Sequence, residues 1–288
     1  MTGRVRAPGR PVTGGLAEGV RSGGGGIARN GRTRAGAQAL QAQPAAATAG
    51  LAVGTGNPAT PWPSSAMLGT VTAGEPAPAR DPHRPARLLQ AERDALLPIL
   101  HRTPDHAFGR PTACPGWSVR DVLAHCAAAL SRVAAGNLHA FTPALNELDV
   151  AERREWPLTG ILAELSASYQ EAGKAITGAG GKLDVIALGE WLHGGDVRDA
   201  LGEPLAYASD GFDDACALLC DWTRHKAIPL VRAQVPGSTL TLGVARPGRL
   251  PAALHATRPA MMRLFAGRPA DPSDYRLAGA TAAELIVF

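Results

Sequence analysis

The chain has 288 residues, 45% hydrophobic and 19% charged, enough for one large or two small globular domains. Composition excludes collagen, a coiled coil and a disulfide-rich miniprotein, because four irregularly spaced cysteines (Cys114, Cys126, Cys216, Cys220) make no disulfide framework. The net charge of +4 comes from the leader: residues 1–80 carry 8 Arg and 2 acidic residues, leaving a slightly acidic remainder of 21 basic and 23 acidic groups, which argues against nucleic acid as a partner.

Residues 1–80 also hold 16 of the 34 Gly, 8 of the 24 Pro and one aromatic, Trp62. Such a segment buries too little apolar surface to offset chain entropy, so disorder is expected over 1–84. Met67 opens a shorter reading of the gene, with the first 66 residues as a start-site extension; N-terminal sequencing of the native protein beginning at Thr2 would exclude this. The uncharged stretch 35–74 is broken by Gly, Pro, Gln and Thr, so neither a membrane span nor a secretory signal is expected. A reducing cytoplasm is the simplest setting.

From about Arg84 the sequence turns helical, with Leu88, Leu89, Ala91, Ala95, Leu96, Ile99 and Leu100 on one apolar face. Glu92 interrupts that face, and Pro98 is expected to kink or shorten the last turn. After a Pro/Gly-rich loop, Ser118 and Asp121 form a capping-box pattern that opens a helix over 119–135, with Gly136 as its C-terminal cap. Further helices fit 158–176 and 184–201, the last with Asp184 as N-cap and Gly202 as stop. The expected fold is mainly α, a four-helix bundle over 85–205, followed by a small α+β domain over 206–288. That second part is read as a helix at 213–226, an alternating strand at 238–244, a short helix at 259–266, and strands at 275–277 and 285–288.

His125 falls in the stripe Val122, Cys126, Ala129 and Val133, and Glu190 and His193 share the stripe Ile186, Val197 and Leu201. Burying such groups unpaired costs about 2–7 kcal/mol for a neutral polar group and more for a carboxylate. They require partners, and a divalent cation with open coordination positions is one way to supply them. The same spacing also fits satisfied core residues. Gly194 and Gly195 inside a helix cost about 1 kcal/mol each relative to Ala, which implies close backbone approach or a distorted turn. Cys216 and Cys220, an i,i+4 pair on an apolar helix, read as core.

The segments P-T-A-C-P-G-W-S-V-R-D-V-L-A-H-C (111–126) and G-E-W-L-H-G-G-D-V-R-D-A-L-G-E-P (189–204) resemble the two signature blocks of the mycothiol-dependent maleylpyruvate isomerase family. R-L-F-A-G-R-P (263–269) with Y-R-L-A-G-A (275–280) resembles its C-terminal segment. The resemblance implies a DinB-like metal-binding four-helix bundle with a small C-terminal α/β domain, and metal ligands at His125, Glu190 and His193 with zinc as the ion. One departure is that the family places its Glu four residues before the second His, where this chain has Gly189. It further implies a thiol pocket that Trp117 could line, although Trp117 also reads as a packing anchor. Asp196 could hold the second nitrogen of His193 or pair on the helix surface. Arg268 resembles a family arginine that could anchor a substrate carboxylate.

No catalytic cysteine stands out, so the thiol is expected from a cofactor; in the reaction that the resemblance implies, the thiolate of mycothiol adds to an activated double bond, rotation follows about the resulting single bond, and elimination gives the trans isomer. The expected function is a metal-dependent, mycothiol-using isomerase or thiol transferase acting on a small electrophilic substrate. The alternatives are a non-catalytic metal- or thiol-binding or regulatory module on the same bundle, and a purely structural helical domain.

Overall fold

The computed structural model describes residues 79–137 and 142–288. The expected disorder of the N-terminal extension falls, up to residue 78, outside the described residues, as does His139. Within the described part of that extension, before its expected end at 84, Arg80 donates to both carboxylate oxygens of Asp184 at 2.8 and 2.7 Å.

In chain order the helices α1 (Arg84–Arg102), α2 (Val119–Ala134), α3 (Pro143–Arg153), α4 (Leu158–Gly178), α5 (Asp184–Leu201) and α6 (Phe212–Thr223) lead into β1 (Val231–Val235), β2 (Ser238–Leu242), β3 (Ala252–Ala256), α7 (Arg258–Phe265) and β4 (Tyr275–Ala278). Among the described residues there are thus seven α-helices and one four-stranded sheet, and the fold is mainly α. The long helices α1, α2, α4 and α5 pack on one another, and α6 joins them to the sheet. One continuous apolar core runs from Leu88 to Leu285.

The helix starts follow local chemistry. Ser118 caps α2 and exchanges hydrogen bonds with Asp121, the expected capping box. Pro98 stays inside α1, which runs on to Arg102 instead of stopping short. Glu92, the flaw in the apolar stripe of α1, is fully buried because Arg198 of α5 grips both its oxygens at 2.6 and 3.0 Å. Asp184 is the first residue of α5 rather than its N-cap, its carboxylate being spent on Arg80. Gly202 ends α5 in the left-handed conformation (φ 81°).

Several elements differ from the sequence reading. α3 was not foreseen: it begins with Thr142 capping and Pro143 in the first turn, but its buried residues are Asp149, Val150 and Arg153, so it has almost no apolar stripe. α6 ends at Thr223, whose hydroxyl donates to Cys220 O and accepts from Gly243 N. The expected strand at 285–288 does not form. A capping box between Thr281 and Glu284 starts a 3-10 turn at Ala282–Leu285 instead.

Strand order is β2-β1-β3-β4. β1 and β2 are antiparallel around Pro236-Gly237, with Gly237 at φ 83°, the left-handed position a tight turn after proline demands. β1 and β3 run parallel, Val231 opposite Ala252, and β3 and β4 antiparallel, Ala253 opposite Ala278. α7 packs on β3 and delivers the segment carrying Arg268 back toward α5.

Candidate metal and thiol site

Two helices and one turn bring the site together. In the turn Cys114-Pro115-Gly116-Trp117, Trp117 N donates to Cys114 O at 3.1 Å and Gly116 takes φ 81°. Proline at the second and glycine at the third position suit a type II turn, which presents the side chains of Cys114 and Trp117 from its two ends. α2 then carries His125, and α5 carries Glu190, His193 and Asp196.

α5 is buried on most sides, and its glycines are required by contact. A Cβ on Gly194 would sit 1.7 Å from Glu92 Oε1, and one on Gly195 2.6 Å from the Tyr207 ring. Close backbone approach, one of the two explanations the sequence offered, is therefore what these glycines provide. The helix is pressed against α1 on one side and Tyr207 on the other, fixing the rotation at which His193 and Asp196 emerge.

His125 and His193 meet edge to face, ring centroids 5.3 Å apart, and Trp117 lies 5.1 Å from the first and 6.5 Å from the second. Trp117 Nε1 donates to Glu147 of α3 at 2.9 Å. Each imidazole directs Nδ1 to a carboxylate: His125 to Asp149 Oδ2 at 3.1 Å, His193 to Asp196 Oδ2 at 3.2 Å. Because an ionised carboxylate only accepts, Nδ1 is the donor in both rings, which makes Nε2 the lone-pair nitrogen of the neutral imidazole. Burial, then the neighbouring His193 and Arg132, pulls His125 down to about 3, so this imidazole is neutral at neutral pH.

Glu190 is buried on α5 but points elsewhere. Its surroundings are Cys126, whose thiol donates to it, with Glu92 and Arg132 nearby. Glu190 Oε2 has no hydrogen-bond partner, and burial pushes the carboxyl up to about 8. The structure thus brings His125 and His193 together and leaves the Glu190 carboxylate turned toward Cys126.

Asp196 is the hub of the opposite side. It accepts from Tyr207 Oη at 2.5 Å, Arg268 Nε and Nη2 at 2.8 Å each, Cys114 Sγ at 3.0 Å and His193 Nδ1. Burial opposes ionisation here, but the His193 and Arg268 hydrogen bonds hold its carboxyl well below the usual carboxylate range. Arg268 Nη2 also donates to Cys114 Sγ at 3.1 Å and Nη1 to Ala266 O at 3.3 Å, so its guanidinium is engaged on three sides. Cys114, which the sequence reading passed over, lies in the site; burial and Asp196 push its thiol up to about 12, so it stays protonated. The turn-forming P-G after Cys114 was the available signal. Asp149 was missed along with α3.

Among the described residues, the one set of three donors whose ligand atoms all lie within 4.8 Å of one another is Cys114, His193 and Asp196. The His125, Glu190, His193 trio does not meet that separation. The residues nevertheless fit a cation near the two imidazoles: both rings are braced at Nδ1 by carboxylates, and Glu190, on the same helix as His193, holds a buried oxygen without a hydrogen-bond partner.

Two crystal structures of mycothiol-dependent maleylpyruvate isomerase, one of them a mutant, resemble the chain at TM-scores of 0.46 and 0.45 with 14% and 13% identity, each over 70% of this chain and 95% of the other. No curated protein sequence matches the chain. No helix among the described residues is long and apolar enough to cross a membrane. Residues 89–203, which carry α2, α5 and both histidines, match the family model of the mycothiol maleylpyruvate isomerase N-terminal domain.

Proposed function

We propose that the protein is a metal-dependent, mycothiol-using isomerase or thiol transferase acting on a small electrophilic substrate, with zinc as the ion. Residues 85–205 form its metal-binding domain, 206–288 a smaller α+β domain, and the cytoplasm is its compartment. The observation that carries this reading is the pair of facing imidazoles, each with Nδ1 committed to a carboxylate and Nε2 left for a ligand. Ligating histidines characteristically brace their second nitrogen in this way.

His125 and His193 are the first two ligands, and Glu190 the third after its side chain turns from Cys126. The bound ion would act as a Lewis acid that lowers the pKa of a coordinated thiol or water. Trp117 forms the wall beside both imidazoles and would shield a thiolate there from water. Arg268 stands at the rim, its side chain 15% exposed, and would meet a substrate carboxylate by giving up part of its hold on Asp196.

That prior engagement of Arg268 is also what favours a second reading, a metal- or thiol-binding module without turnover. Elemental analysis of untagged protein tests the centre: with Cys114 replaced by Ser, about one zinc per chain is expected, and none once His125→Ala is added. Retained zinc in that variant would refute the ligand assignment. Thiol transfer or isomerisation with mycothiol then separates enzyme from module.

A further inference from the structure

The set Cys114, His193 and Asp196 has a geometry of its own. The separations are 3.0 Å from Cys114 Sγ to Asp196 Oδ2, 3.2 Å from Asp196 Oδ2 to His193 Nδ1, and 3.6 Å from Cys114 Sγ to His193 Nδ1. A tetrahedral zinc, about 2.3 Å from sulfur and about 2.0–2.1 Å from nitrogen and oxygen, has donor–donor edges of roughly 3.3–3.6 Å. Two of the three separations already match within about 0.1 Å, and the third needs to open by about 0.5 Å. A sulfur, an imidazole nitrogen and a carboxylate oxygen also form a donor set that suits a soft or borderline divalent ion.

A cation already touches this set. The Arg268 guanidinium contacts Asp196 Oδ2 at 2.8 Å and Cys114 Sγ at 3.1 Å, two of the three donor atoms, through one nitrogen. We propose that Cys114, His193 through Nδ1, and Asp196 form a second site, for a thiophilic divalent ion, and that Arg268 is the tethered cation which such an ion displaces.

The exchange balances. The ion takes the Cys114 sulfur as thiolate, whose proton leaves to solvent, and Arg268 swings out from the rim with its charge. The dication then faces one thiolate and one carboxylate, leaving the cluster neutral. His193 must release Nδ1–H and carry its proton on Nε2, because a neutral imidazole has a single lone-pair nitrogen. Filling the second site therefore removes His193 Nε2 from the centre shared with His125. This inhibitory consequence rests on the function proposed above; the site itself does not.

Cadmium is the probe, added to the untagged full chain after metal removal and followed by the ultraviolet thiolate-to-cadmium charge-transfer band. The wild-type protein is expected to develop the band saturably, Cys114→Ser to lose it with unchanged helicity, and Arg268→Met to bind cadmium about tenfold more tightly, as removal of a competing cation worth about 1.4 kcal/mol would give. His125→Ala should keep the band. Absence of the band in both wild type and Arg268→Met, its survival in Cys114→Ser, or its loss in His125→Ala would overturn the proposal. A band retained in the wild type alongside failure of His125→Ala to reduce zinc content in the Cys114→Ser background would instead refute the two-histidine centre and leave this site standing.

Discussion

His193 takes its carboxylate from three residues along its own helix, whereas His125 takes Asp149 from a different helix 24 residues away. The first pair comes with the folding of α5. The second depends on how α3 docks, and α3 offers a single buried aliphatic side chain, Val150, for that purpose. Polar links do most of the docking: Arg132 to Asp149, Arg153 to both oxygens of Glu164 at 2.6 and 2.7 Å, Trp117 to Glu147, and Arg120 to the Trp156 carbonyl. Identical imidazole-carboxylate geometry thus rests on two kinds of support, one dense and apolar, the other thin and polar.

The largest way to break the local pair is through its backbone. Gly194→Ala places a methyl where Glu92 Oε1 now sits and must part the buried Glu92–Arg198 ion pair, so a loss of about 3–5 kcal/mol is expected in denaturant unfolding. Next comes Asp196→Asn, which leaves Arg268 facing a neutral amide; about 3 kcal/mol should be lost, together with zinc affinity in a competition assay. Asp149→Asn removes the charge that faces His125 Nδ1 and, with it, the ion pair to Arg132. It is expected to weaken zinc binding about tenfold or more while costing about 1–3 kcal/mol of stability. If Asp149→Asn left affinity intact, bracing of His125 would be immaterial to the centre. The smallest effect should follow from Ser118→Ala, about 1 kcal/mol through loss of the α2 cap, read by thermal unfolding. Hydrogen exchange sharpens the same comparison: α3 amides should exchange well before those of α5, and equal protection would show that polar docking is as firm as apolar packing.

The same division decides what could be read in the sequence. α1, α2 and α5 announce themselves through apolar periodicity, the Ser118 cap and Gly202, and the i,i+3 relation of His193 to Asp196 follows from helical spacing alone. α3 is silent because its function lies in Asp149 and Arg153, polar residues that a search for apolar stripes discards. β3 escapes notice because A-A-L-H-A favours a helix locally; only pairing with β1 and β4 makes it a strand. Glu92 looked like an error in a helix face until Arg198, 106 residues away, supplied its counter-charge. Cys114 and Arg268, 154 residues apart, meet through a turn and a returning C-terminal segment. No spacing rule connects them.

That returning segment also sets a timetable for synthesis. Arg268 lies 72 residues after Asp196, and at about 5–20 residues per second a ribosome needs roughly 4–14 s to add that length. During this interval α5 can form while Cys114, His193 and Asp196 still lack their guanidinium. The nascent chain therefore passes through a stage at which the thiol cluster is open to metal before the protein's own arginine arrives to close it.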